Sequence, residues 1–182
     1  MDQQNARQIT QNALRSKTLA AAAALGSGRS SGYTEMAQIM TLLHKPDPNI
    51  RRTAIKALEK IRGPQAVTLI SRCLNDKTGF IRKAACKSLG KLRAHSAKVA
   101  LLDCLNDKDP SVCCCAAEAL FAMGDKSGLN YVKKLVCTKG SHQLEALAVL
   151  NELANTKYSL TVTGIKEAQK WIGYKRNWLF RF

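Results

Sequence analysis

Acidic side chains are scarce in this sequence of 182 residues, where 13 Asp and Glu stand against 29 Lys and Arg for a formal net charge of +16. With so few carboxylates, no Ser/His/Asp arrangement and no glycine-rich phosphate loop, nothing outlines acid–base or phosphoryl-transfer chemistry. Long apolar runs are missing as well. The longest, the alanine-rich Leu19–Leu25, falls far short of the roughly 20 residues needed to cross a bilayer. The N-terminal Met-Asp-Gln-Gln-Asn-Ala-Arg-Gln has no basic head leading into an apolar stretch, so no signal peptide is expected and a cytoplasmic chain is. The C-terminal Leu-Phe-Arg-Phe fits no lipidation or retention signal. Period-two alternation, the mark of a strand, occurs only briefly at Leu160–Val162, which argues against a sheet.

Metal-ligand spacing is also absent. The seven cysteines (73, 86, 104, 113, 114, 115 and 137) include no Cys-x-x-Cys pair, and His44, His95 and His142 stand far apart. An odd count suits a reducing compartment. Cys73 and Cys104 occupy equivalent positions beside Leu74 and Leu105, where a small hydrophobe packs well. The run Cys113–Cys115 is unusual, yet consecutive helical residues point in three directions and do not grip one ion together. The expectation is a set of small buried hydrophobes, with no metal and no cofactor.

What the chain does have is internal repetition, with a period of about 31 residues. Ile-Arg-Arg-Thr-Ala-Ile-Lys-Ala-Leu-Glu-Lys-Ile begins at Ile50, Ile-Arg-Lys-Ala-Ala-Cys-Lys-Ser-Leu-Gly-Lys-Leu at Ile81, and Val-Cys-Cys-Cys-Ala-Ala-Glu-Ala-Leu-Phe-Ala-Met at Val112. Periods of this length mark stacked helical units that bury their apolar faces against neighbours. Each unit opens on a turn (Pro46–Pro48, Lys77–Gly79, Lys108–Pro110), runs a first helix of about 12 residues, breaks at a connector such as Arg62-Gly63-Pro64, and adds a second helix. With a register slip that shortens the period by one, Ala146, Leu150 and Leu153 continue Ala116, Leu120 and Met123 in a fourth, divergent unit. Its second helix is expected near Ile165–Ile172. Three segments follow: 1–35, an N-terminal helix over 5–24 and the flexible Gly26–Gly32 stretch; 36–156, the repeats; and 157–182, a C-terminal segment that caps or docks.

The pattern Asp-Pro-x-Ile/Val-Arg, then Ala-Ala-x-x-Leu-Gly-x-Leu, then Asn-Asp at the next turn, resembles HEAT repeats, in the short version of the phycobilin-lyase-type HEAT-like class. The resemblance covers residues 36–155 well and the flanks poorly. It implies an all-α, right-handed α-solenoid of helical hairpins, with the first helices on the convex side. It also implies an adaptor or scaffold more than an enzyme, with a bilin lyase-like role as a minor alternative. In HEAT families the position of Arg51 and Arg82 forms a ladder with turn Asp residues. Asp47 and Asp109 match that turn, while Thr78 replaces Asp in the middle unit and Cys113 replaces Arg in the third.

The charge is uneven. Residues 51–100 carry +11, residues 101–156 carry −2, and residues 157–182 carry +5. Arg52, Lys56 and Lys60 lie four apart on the helix face opposite Ala54, Ala57 and Ile61, and Lys83, Lys87 and Lys91 repeat that stripe one unit on. Arg62 and Arg93 end the two helices, and only Glu59 is near enough to relieve the repulsion. The next unit breaks the stripe with Cys114, Glu118 and Ala122. Single-sign stripes point to a docking patch for an acidic protein or multiprotein assembly; a solvated face is the plainer alternative. Nucleic acid is a second partner class, although the stripes hold no aromatic to stack a base, and an anionic membrane surface is a third. In the tail, Trp171, Tyr174, Arg176 and Trp178 are residue types of interface hot spots, and equally of a cap over the last unit.

Overall fold

The computed structural model describes residues 32–137 and 142–179, with side chains over 36–137 and 142–173. The helix expected over 5–24 lies outside the described residues. Among those described there are nine α-helices and no strand. The chain divides into two compact units, Met1–Leu92 and Arg93–Phe182.

The first unit holds α1 (Gly32–Leu43), α2 (Pro48–Ile61), α3 (Gly63–Arg72) and α4 (Gly79–Lys91), with a 3₁₀ turn at Cys73–Asn75. α1 starts four residues ahead of residue 36, the expected start of the repeats, because Tyr33-Thr34-Glu35 contains no breaker. Asp47 caps α2 by accepting from the Asn49 N–H at 2.8 Å, and Pro48 occupies the first turn, where its missing N–H costs nothing. Ile50, Ala54, Ile55, Ala57 and Leu58 are buried at helical spacing, so one stripe of α2 faces the core, where α2 packs on α1, α3 and α4.

In the second unit a 3₁₀ turn (His95–Ala97) leads into α5 (Lys98–Asp103) and a second 3₁₀ turn (Cys104–Asn106). Then come α6 (Pro110–Ala122), α7 (Ser127–Cys137), α8 (Gln143–Ala154) and α9 (Val162–Leu179). α6 is the axis of this unit, packed on α5, α7 and α8. Eight of its 13 residues are buried, Cys113, Cys114 and Cys115 among them. Three consecutive helical residues sweep most of the circumference, so burying all three requires neighbours on several sides, and α6 has them. The carbonyl of Val136 in the last turn of α7 accepts from the side-chain amides of Gln143 at 3.0 Å and Gln169 at 2.9 Å. Those bonds satisfy a helix-terminal carbonyl and tie α8 and α9 to α7.

The period also sets the backbone at helix ends. Arg62, Arg93, Gly124 and Asn155 all have positive φ (60°, 49°, 83° and 51°), and each lies one full repeat after the one before. In the first three repeats this residue follows the buried Leu58, Leu89 or Leu120 by four positions. In the fourth it follows Leu150 by five, so the slip in the core columns is recovered before the helix stops.

Candidate partner-docking face

The turn that precedes α4 explains how the first unit holds its basic helices in place. Arg51, only 5% exposed, points from α2 to that turn. Its Nε and Nη2 donate to Asp76 Oδ2 and Oδ1 at 2.8 and 2.9 Å, Nη2 also reaches Thr78 Oγ1 at 3.0 Å, and Nη1 donates to the carbonyls of Lys45 and Pro46. Such a planar, fully engaged fork is a structural use of arginine. The ladder acid is therefore Asp76, not a residue of the Asp47 and Asp109 column, whose carboxylates cap α2 and α6. Thr78 leaves α4 without a side-chain cap because its hydroxyl serves Arg51. Burial alone would push the Asp76 carboxyl up, but the Arg51 hydrogen bonds, the Thr78 N–H and the Arg51 charge outweigh it and hold the group below its ordinary 3.8.

One contact of this set recurs with the repeat. Arg51 donates to the carbonyl six residues back (Lys45), Arg82 to that of Asp76 at 2.9 Å, and the Cys113 thiol to that of Asp107 at 3.2 Å. Cys113 thus keeps part of the arginine's bonding without its charge.

On the outer side of α2, Arg52, Lys56 and Lys60 are exposed, and on α4, which packs on α2, so are Lys87 and Lys91; Lys83 is half-buried. Glu59 joins the two helices. Its Oε1 receives Lys91 Nζ at 3.0 Å, and its Oε2 accepts from the buried Ser88 hydroxyl at 2.6 Å. Both carboxylates of residues 51–92, Asp76 and Glu59, are thereby engaged, and no described carboxylate pairs with Arg52, Lys56, Lys60 or Lys87.

A further member of this face is not legible in the stripes themselves. The Arg52 guanidinium lies over the Phe80 ring, 4.8 Å from its centroid, and Phe80 is 44% exposed. The signal was available in the repeat: Asn49 and Ser111 hold the equivalent positions, so Phe80 is an aromatic in a polar column. The stripes themselves hold no aromatic, as expected, and Phe80 reaches Arg52 from the first turn of α4.

Arg93 begins the second unit, exposed and with positive φ. Trp171 is half-buried, packs with Ile172 against the core of α7, α8 and α9, and has Lys133 Nζ 5.6 Å from its ring. Tyr174, Arg176 and Trp178 fall on the backbone of α9, and their side chains lie outside the described residues. Among the described residues no group of His, Cys, Asp and Glu could hold a metal ion, and no helix is long and apolar enough to cross a membrane.

No curated protein matches this chain. A family model described as HEAT repeats matches residues 7–85, the stretch that contains α1, α2, α3 and the arginine fork. Helical pairs that recur with the period of the sequence, arginines that tie α2 and α4 to the turns before them, and that match support a HEAT-like repeat protein, and the helical architecture of the described residues fits the all-α solenoid class.

Proposed function

We propose that this chain is a non-enzymatic adaptor that docks an acidic partner, a protein or a larger assembly, through the basic face of α2 and α4. HEAT repeats generally mediate protein–protein interactions, which supports a binding surface over a catalytic cleft. The observation that carries the reading is the state of the acids: Asp76 and Glu59 are both engaged, while Arg52, Lys56, Lys60 and Lys87 stand exposed without a carboxylate among the described residues. A face that served only solubility would mix the two signs. Concentrated positive potential steers and holds a partner of opposite charge.

Nucleic acid is the competing partner class, and one exposed aromatic is too few to stack successive bases along a strand. Arg93, in the second unit, is proposed as a contact of its own. A second contact through the tail rests on Tyr174, Arg176 and Trp178, since Trp171 is engaged by the core.

Affinity capture from host extract tests the proposal by comparing the wild type with a Lys56→Glu, Lys60→Glu, Lys87→Glu triple variant. Acidic proteins held by the wild type should be lost from the variant, whose helical circular dichroism stays unchanged. Equal capture by the folded variant refutes docking through this face.

A further inference from the structure

Phe80 is out of place on a solubility face. A large apolar side chain, 44% exposed in the first turn of α4, stands where the neighbouring repeats carry Asn49 and Ser111. It also fixes its neighbour. With the ring under one face of the Arg52 guanidinium at 4.8 Å, that group is held while its edge N–H donors stay available. Those edges fit a carboxylate, which accepts two parallel N–H bonds. Beyond them, Lys56 and Lys60 continue the column along α2, each step of four residues advancing about 6 Å, so Arg52 to Lys60 covers roughly 12 Å. In an extended chain, side chains on one face recur about every 6.6 Å, close to that step.

Resting on the docking function proposed above, we infer that the partner presents an acidic segment with an aromatic or apolar residue at one end. That residue packs on Phe80, and acidic residues at alternate positions meet Arg52, Lys56 and Lys60. The aromatic pair sets the register, and the cations supply the long-range attraction. A phosphodiester strand carries a base at every nucleotide, whereas this arrangement pairs one aromatic with a row of cations.

Fluorescence anisotropy with three labelled probes decides it: Phe-Ser-Glu-Ser-Glu-Ser-Glu, the same peptide with Ala first, and a 12-nucleotide thymidine strand. The full chain should favour the Phe-led over the Ala-led peptide by roughly 3- to 10-fold, the range of an aromatic pair. Phe80→Asn and Phe80→Ser, which install the residues of the adjacent repeats, should erase that preference, and any loss from releasing Arg52 should fall on both peptides alike. Preference that survives in either folded variant overturns the inference, as does a thymidine strand that binds more tightly than both peptides. Lys56→Glu should weaken both peptides alike; if neither weakens, the docking face itself is wrong, whatever Phe80 does.

Discussion

Arg51 shows how much one side chain decides in the first unit. It closes five hydrogen bonds from a nearly dry position, two of them to Asp76. Removing one partner of a buried pair strands the other, so Arg51→Ala should cost about 3 kcal/mol, read as a lower urea midpoint. A carboxyl held below its ordinary 3.8 stabilises the fold above that value and stops doing so as pH falls through its folded pKa. The stability gap between the wild type and Asp76→Asn should therefore be full near neutral pH and shrink on acidification below the carboxylate range. A gap unchanged down to about pH 2 would show that the pair is not the source. Arg62 carries a different cost, φ 60° and ψ −167°, a conformation suited to glycine. Arg62→Gly should raise stability by about 1 kcal/mol, a gain of roughly 2–4 °C in Tm.

Among the elements, α6 departs furthest from its repeat equivalents. Arg52 and Lys83 occupy the column that holds Cys114 in α6, and Cys114 is buried against Leu147 and Leu150 of α8. Burial, then the nearby Glu145 and its neighbouring thiols, push the Cys114 thiol up to about 12; burial also raises Cys113. Native protein at about pH 8 should thus be alkylated rapidly at exposed Cys137, with Cys113–Cys115 modified after unfolding. Peptide mass spectrometry that finds native labelling of Cys114 would contradict this packing. α6 and α7 meet closely at Gly128, where an added Cβ would overlap the Ala117 carbonyl oxygen and lie 2.9 Å from Ala117 Cα. Backbone cannot yield as a side-chain tip does, so Gly128→Ala should cost about 2 kcal/mol although alanine is the better helix former.

For the whole molecule, the charge is the property to test. With +16 on 182 residues, capture of an acidic partner should weaken steeply as salt rises, and more so for the wild type than for the triple charge reversal. Partner capture that is indifferent to salt would move attention from the basic face to an apolar surface.

The repeat, the helix boundaries within a few residues, the capping Asp-Pro turns and the basic columns were all legible in the chain, because each is written in local spacing and residue type. Burial was legible only in part. Cysteine's small apolar side chain pointed to a buried site for Cys114, yet its column is exposed at Arg52, and the packing of α8 on α6 supplies the cover; the resemblance placed the ladder acid in the Asp47 column, and the guanidinium of Arg51 reaches Asp76 instead. Phe80 sits under Arg52 although the whole of α3 lies between them in sequence, a proximity made by packing α4 on α2. Local pattern specifies which helices form and which face is apolar. Which charges remain uncompensated, and which aromatic joins them, follows from contacts between residues far apart in the chain, and those exist only once the helices have packed.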